Sequence, residues 1–172
     1  TDLPANAGKE IEAEFERIRT SKGKTRGGVL REKMQKLMND SVGVYRTQDT
    51  MQSAIDNLRG LRETYVKDLH IDDRGKRFNT DVMEAWELGN LLDLAEVTAV
   101  SALNRKESRG GHSRDDFPKR DDANYLVHTL VYRDAPSLYG VTAPEYKINM
   151  DKKVDMSLAA EDPKFAPKER VY

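Results

Sequence analysis

Between residues 30 and 103, apolar side chains recur every three or four positions in three successive runs separated by short polar stretches. In the first, Leu30, Met34, Leu37, Ser41 and Val44 form a single stripe interrupted by one serine. Met51, Ala54, Leu58, Leu61, Tyr65 and Leu69 keep the same alternation in the second, close to a heptad seam. Val82, Ala85, Leu88, Leu91, Leu92, Ala95, Ala99, Ala102 and Leu103 make a wider stripe, which predicts a helix of about 25 residues, or about 38 Å at roughly 1.5 Å per residue. Thr47 is placed to cap the second helix with Asp49 in its first turn, and Asn79 to cap the third with Asp81 and Glu84 behind it. Arg105 and Lys106 close the third helix. Ahead of all three, Ile11, Phe15 and Ile18 give one short amphipathic helix over 9–19.

After the third helix the period changes. Residues 125–133 are rich in Tyr, Val, Leu and Thr, and over 145–150 Tyr146, Ile148 and Met150 alternate with polar neighbours. Pro136, Ser137 and Gly140 separate the two, which predicts a β-hairpin with a longish loop. Residues 151–172 hold Asp, Lys, Glu and Pro with few apolar anchors, and read as an extended or partly mobile arm. The expected architecture is therefore all-α: a three-helix up-down-up, spectrin-repeat-like bundle with a C-terminal β-hairpin and an extended arm. It divides into a short helix and linker at 1–28, the bundle at 29–107, and a charged loop, hairpin and arm at 108–172. The small face of Ala95, Ala99 and Ala102 invites close approach by a neighbouring helix.

Composition supports that picture. Of 172 residues, 37% are hydrophobic and 34% charged, which suits one buried stripe per helix better than a thick α/β core. With 29 basic and 30 acidic side chains there is no global field to steer the chain to nucleic acid or anionic membrane. Cysteine is absent, which excludes disulfides, thiolate-bound iron–sulfur clusters and Cys-type zinc sites. No apolar run approaches the roughly twenty residues of a membrane span. The start lacks the features of a signal peptide and an initiator methionine, as expected of a piece of something larger. Gly23-Lys24-Thr25 looks like the end of a phosphate-binding loop, but that motif needs a glycine five positions earlier, where Ile18 stands. A solvated basic linker is the expectation for 21–28.

Candidate chemistry concentrates in 104–122, where six Lys/Arg (Arg105, Lys106, Arg109, Arg114, Lys119, Arg120) meet five Asp/Glu (Glu107, Asp115, Asp116, Asp121, Asp122). Such density of guanidinium forks and carboxylates points to mutual, bidentate pairing. Gly110-Gly111 is expected to end the third helix and to give the tight backbone of a reversal. Glu107, Ser108, Arg109, His112, Arg114 and Asp116 then gather at a helix end, either as an internal staple or as a face docked to another domain. His112 lacks companion ligands for a metal and a cleft for acid–base work, and fits best as a hydrogen-bonded member of the loop. Arg109-Gly110-Gly111 is a single RGG copy interleaved with acids, which argues against nucleic-acid binding. Trp86 and Met83 belong to core or interface.

The segment Glu107-Ser108-Arg109-Gly110-x-His112-x-Arg114-x-Asp116-x-Pro118-x-Arg120-Asp121-Asp122 resembles the hallmark near the C-terminus of the flavoprotein subunit of succinate dehydrogenase and fumarate reductase. Asp73-Arg74-Gly75-Lys76-Arg77-Phe78-Asn79-Thr80 is similar to that family's turn before its last long helix, and His128-Thr129 to its following strand. The family's cousin L-aspartate oxidase is similar from Glu107 to Pro118 but usually lacks the strand-rich tail. The resemblance implies a C-terminal helical domain of a subunit that oxidises succinate, passing a hydride to FAD and electrons to an iron–sulfur subunit. It also implies a peripheral position on the cytoplasmic face of the inner membrane, with contact to the membrane anchor only through partners. The family's FAD fingerprint and catalytic residues lie upstream, so no catalytic, cofactor-binding or metal residue is assigned here. The six loop residues are expected to dock against the FAD domain or the iron–sulfur partner.

Overall fold

A computed structural model describes residues 2, 5–134, 145–166 and 168. Four helices follow the apolar stripes: α1 (Lys9–Arg19), α2 (Gly27–Val42), α3 (Gln48–Lys67) and α4 (Thr80–Asn104). Their ends are set by local chemistry. The Thr47 hydroxyl accepts from the Thr50 amide while the Thr50 side chain returns the bond to the Thr47 amide, a reciprocal cap that starts α3. At α4 the Asn79 side chain accepts from the Val82 amide at 2.9 Å. Gly43 ends α2 one residue before Val44, so Val44 leaves the stripe and stands exposed while Val42 takes its place in the core.

The helices α2, α3 and α4 pack on one another, and α1 lies against α4. Their stripes merge in one core through Leu30, Met34, Ile55, Leu58, Val82, Leu88 and Leu92, to which Ile18 of α1 is added. The alanine face of α4 is buried within the chain, with Ala99 fully inaccessible. Near its middle Gly89 meets the Tyr65 ring of α3 so closely that an added methyl group would lie 2.8 Å from the hydroxyl oxygen.

Residues 22–26 are not a solvated linker. Thr25–Arg26 (β1) pairs in parallel with Leu69–His70 (β2), Thr25 opposite Leu69. The Asp68 carboxylate takes the Lys24 amide at 3.1 Å and the Thr25 hydroxyl at 2.7 Å. Gly23 lies so close to this strand that a Cβ would fall 2.1 Å from the Asp68 carbonyl carbon. Gly27 and Gly28 begin α2 rather than break the chain.

The tail also departs from expectation at its start. Residues 122–125 form a helical turn, α5 (Asp122–Tyr125), because the Asp121 side chain caps the Asn124 amide, and the strand begins only at Leu130. Leu130–Asp134 (β3) and Glu145–Asn149 (β4) then pair antiparallel, Leu130 opposite Asn149 and Asp134 opposite Glu145. The expected loop with Pro136, Ser137 and Gly140 lies outside the described residues. A lone hairpin is marginal in water; this one is tied to the helices by the Tyr146 hydroxyl, which donates to the buried Glu96 carboxylate at 3.4 Å. Arg59 of α3 holds the other Glu96 oxygen at 2.7 Å. The arm is not simply extended: it turns into α6 (Ser157–Glu161) and a 3-10 turn (Pro163–Phe165).

Candidate functional site

The six candidate residues gather beyond the end of α4, and they form two separate nodes. In the first, the Glu107 side chain is fully enclosed. Its Oε1 takes Arg105 Nη2 and Arg109 Nε, each at 2.9 Å, and its Oε2 takes Arg109 Nη2 at 3.1 Å and the Asp121 amide at 2.9 Å. Burial pushes this carboxyl up, but the bonds from Arg109, Asp121 and Arg105 outweigh it and hold it below the usual range. Arg105 also reaches the backbone carbonyls of Val127 and Tyr125, which fixes the tail to the helix end.

The second node is Arg114, whose side chain is 0% exposed. One edge of its guanidinium grips Asp116 through Nε and Nη2, both at 2.7 Å. Its Nη1 donates to the carbonyls of Leu103 and Arg105 at 3.1 and 3.2 Å, the last turn of α4 and its cap. A cation there satisfies orphan carbonyls and complements the negative end of the helix dipole. Asp116 in turn takes the amide of Gln48 at 2.8 Å, the first residue of α3. Arg114 drives the Asp116 carboxyl down to about 2, with help from that amide.

Ser108 and His112 shape the loop between the nodes. Ser108 Oγ accepts the Arg114 amide at 2.8 Å and donates to the Phe117 carbonyl at 2.8 Å. Gly110 and Gly111 do not end α4, which stops at Asn104. They make a tight reversal in which Arg109 and His112 exchange backbone bonds, with Gly110 at φ 55°. His112 Nε2 lies 3.1 Å from the Arg105 carbonyl, so Nε2 carries the proton and donates. Burial, and the neighbouring Arg46 and Arg114, push its pKa down despite that bond.

One participant escaped the sequence reading. Arg46, in the turn between α2 and α3, pairs its backbone with the loop: its carbonyl accepts the Asp115 amide at 3.1 Å. Its Nη2 donates to the Gly111 carbonyl at 3.2 Å, and its Nε is buried without a hydrogen-bond partner among the described residues. No periodicity marks such a residue, because its contacts lie 65 positions away.

The fold and this network define a class: a helical domain locked at one end by arginine–carboxylate pairs that join the end of its longest helix to the start of another. The comparisons with known proteins place it more narrowly. The model of the family described as "Fumarate reductase flavoprotein C-term" matches residues 31–172. The fumarate reductase flavoprotein subunit of Haemophilus influenzae is 42% identical over 124 residues, 72% of this chain and 20% of that protein. The succinate dehydrogenase flavoprotein subunit of Rickettsia bellii is 37% identical over 166 residues, 95% of this chain and 26% of that protein. A solved E. coli quinol fumarate reductase chain superposes with a TM-score of 0.78 at 32% identity, covering 100% of this chain and 28% of that one. The chain belongs to the family of succinate dehydrogenase and fumarate reductase flavoprotein subunits, and corresponds to their C-terminal domain. It spans only 20% to 28% of the length of these relatives.

The relatives are flavoproteins by name, but the glycine-rich run at 23–28 does not fit a flavin. A dinucleotide cradle needs free amides at a strand-to-helix turn, whereas here Asp68 occupies the Lys24 amide and the Thr25 hydroxyl. Among the described residues no cluster of acidic or histidine side chains is arranged to hold a metal ion, and no helix is long and apolar enough to cross a membrane.

Proposed function

We propose that this chain is the C-terminal helical domain of a succinate dehydrogenase flavoprotein subunit, serving as scaffold and docking surface for the FAD domain upstream and for an iron–sulfur subunit. The whole subunit oxidises succinate to fumarate and passes a hydride to FAD, and electrons leave through the partner. Its place is the cytoplasmic face of the inner membrane, held there by other subunits. The helices α2, α3 and α4 form an up-down-up bundle; the short 43–47 connection and the lock between the end of α4 and the start of α3 favour this order.

The observation that carries the reading is the family match over 31–172, which includes the whole arginine network. In that network Glu107, Ser108 and Arg114 brace the loop from inside, while Arg109, His112 and Asp116 present its outer face to the neighbour. Replacing Arg109 by alanine in the complete polypeptide is expected to weaken subunit assembly or flavin retention. Normal assembly with full flavin content overturns the docking role. Fumarate reductase is the nearest alternative, and succinate-to-fumarate against fumarate-to-succinate turnover ratios of the complete enzyme separate the two. The paired hairpin favours either over L-aspartate oxidase. A stand-alone helical adaptor requires a native polypeptide of this size, which an immunoblot of native extract reveals.

A further inference from the structure

At the opposite end of α4 from the arginine network, about 37 Å away along a 25-residue helix, lies an open groove of about 620 Å³ between α1 and the start of α4. Ile11, Phe15, Val82 and Met83 line it, and Phe78 stands at its lip. Phe78 is 101% exposed and is the one non-glycine described residue with positive φ, at 51°. Both features are unfavourable for the chain alone: a ring in water gains nothing from burial, and a bulky residue in the left-handed region is strained. The turn itself does not ask for a phenylalanine. It is fixed by the Asn79 side chain, which donates to the Asp73 and Gly75 carbonyls at 2.8 and 2.9 Å, and by the Asp73 carboxylate, which takes the Gly75 amide at 2.7 Å. Glycine or asparagine meets that backbone at lower cost. The ring is therefore an apolar group at the groove mouth that nothing in the turn requires. Around it Arg19 and Lys76 face Glu12 and Glu16 across the groove wall, and the Lys76 charge helps to hold Glu16 below the usual carboxylate range, so the rim carries both signs of charge about an apolar floor.

We propose that Phe78 and this groove receive an apolar ridge on a segment of the polypeptide that precedes this chain in the complete subunit. The inference rests on reading the chain as one domain of a larger subunit. Most of the length of its relatives lies outside it. A covalently linked segment meets the groove at millimolar-scale effective concentration, so a patch too small to hold a free partner suffices. The contact is a second docking surface, independent of the arginine network at the far end of α4.

Hydrogen exchange on the full-length polypeptide tests this against the 172-residue chain. Amides of 9–19 and 75–83 are expected to exchange on the order of tenfold more slowly in the full-length protein. Phe78→Asn is expected to abolish that protection while leaving the Tm of the 172-residue chain equal or higher. Equal exchange in the two contexts overturns the proposal, as does protection that appears only when a separate subunit is added, or a clear fall in Tm for Phe78→Asn in the short chain. Amides of 105–117 report on the arginine network separately, so protection there without protection at 75–83 removes this inference and leaves the docking role of the network standing.

Discussion

Arg114 and Asp116 face each other through two 2.7 Å bonds, and from that pair each reaches a different helix: the arginine the last carbonyls of α4, the aspartate the first amide of α3. The positive partner sits at a negative helix end and the negative partner at a positive one, so both dipoles reinforce the pair. Because Arg114 is wholly enclosed, Arg114→Met leaves the carbonyls of Ala102, Leu103 and Arg105 without this donor and Asp116 with only the Gln48 amide. A loss of about 2–3 kcal/mol in urea unfolding is expected, because charge-assisted bonds to enclosed carbonyls are lost while Asp116 itself stays in reach of water. A loss under about 1 kcal/mol shows that the pair is merely decorative.

The depressed Asp116 carboxyl adds a pH signature. With a folded value of about 2 against 3.8, the unfolded chain binds the proton first as pH falls. Stability from this group is complete above 3.8 and drains away between there and about 2. Asp116→Asn is expected to flatten that part of the curve, and an unchanged acid limb refutes the assignment.

His112 shifts stability in the same direction but in a higher pH window, because it is the neutral form that the fold favours. Its folded pKa lies below 6.5 because burial and the guanidiniums of Arg46, Arg114 and Arg105 oppose its charge. Below 6.5 the unfolded chain takes up more protons than the folded one, so stability declines as pH drops through that value and is full above it. Unfolding curves at pH 5 and 7.5 should differ less in His112→Gln than in the parent, and an equal difference in both removes the histidine from the account.

Two glycines should respond with opposite signs. Gly60 sits exposed in the middle of α3 with open space around its α-carbon, so Gly60→Ala is expected to add about 0.5–1 kcal/mol. Gly23→Ala drives a methyl group into the Asp68 carbonyl and is expected to cost about 2 kcal/mol or more, with loss of the β1–β2 pairing. Thermal melts of the two variants decide.

Tyr146 anchors the hairpin. Burial, and the charge of Glu96 beside it, push its hydroxyl up to about 12, so it stays a donor across the accessible pH range. Tyr146→Phe removes the bond to Glu96 at a cost of about 1 kcal/mol. Faster amide exchange over 130–134, with the helices unchanged, is the expected outcome.

The helical part was legible because its determinants are local. The apolar stripes, the Thr47 and Asn79 caps and the membership of Leu58, Leu88 or Ala99 in the core all follow from spacing and short-range bonding. What was not legible depends on distant partners. Nothing near Gly23 announces that Asp68 will lie against it, so 22–26 read as a linker. Tyr125 carries a strand-forming side chain, but the Asp121 cap wins locally and turns the backbone into a helix. The Gly110-Gly111 pair signals a reversal but not its distance from α4, which stops at Asn104 and hands its last carbonyls to Arg114. The charged loop was recognisable as a paired cluster, whereas the division into a Glu107 node and an Arg114 node, and the role of Arg46, required three dimensions.

The bond from Asp116 to the Gln48 amide closes a loop of 68 residues. So long a closure carries an entropy cost that only a largely assembled core can offset. The lock should therefore snap shut after the folding barrier has been crossed, and its weight falls on how slowly the native chain comes apart. In stopped-flow chevrons Arg114→Met is expected to lift the unfolding limb and leave the refolding limb almost where it was; a displaced refolding limb instead makes the loop part of the nucleus.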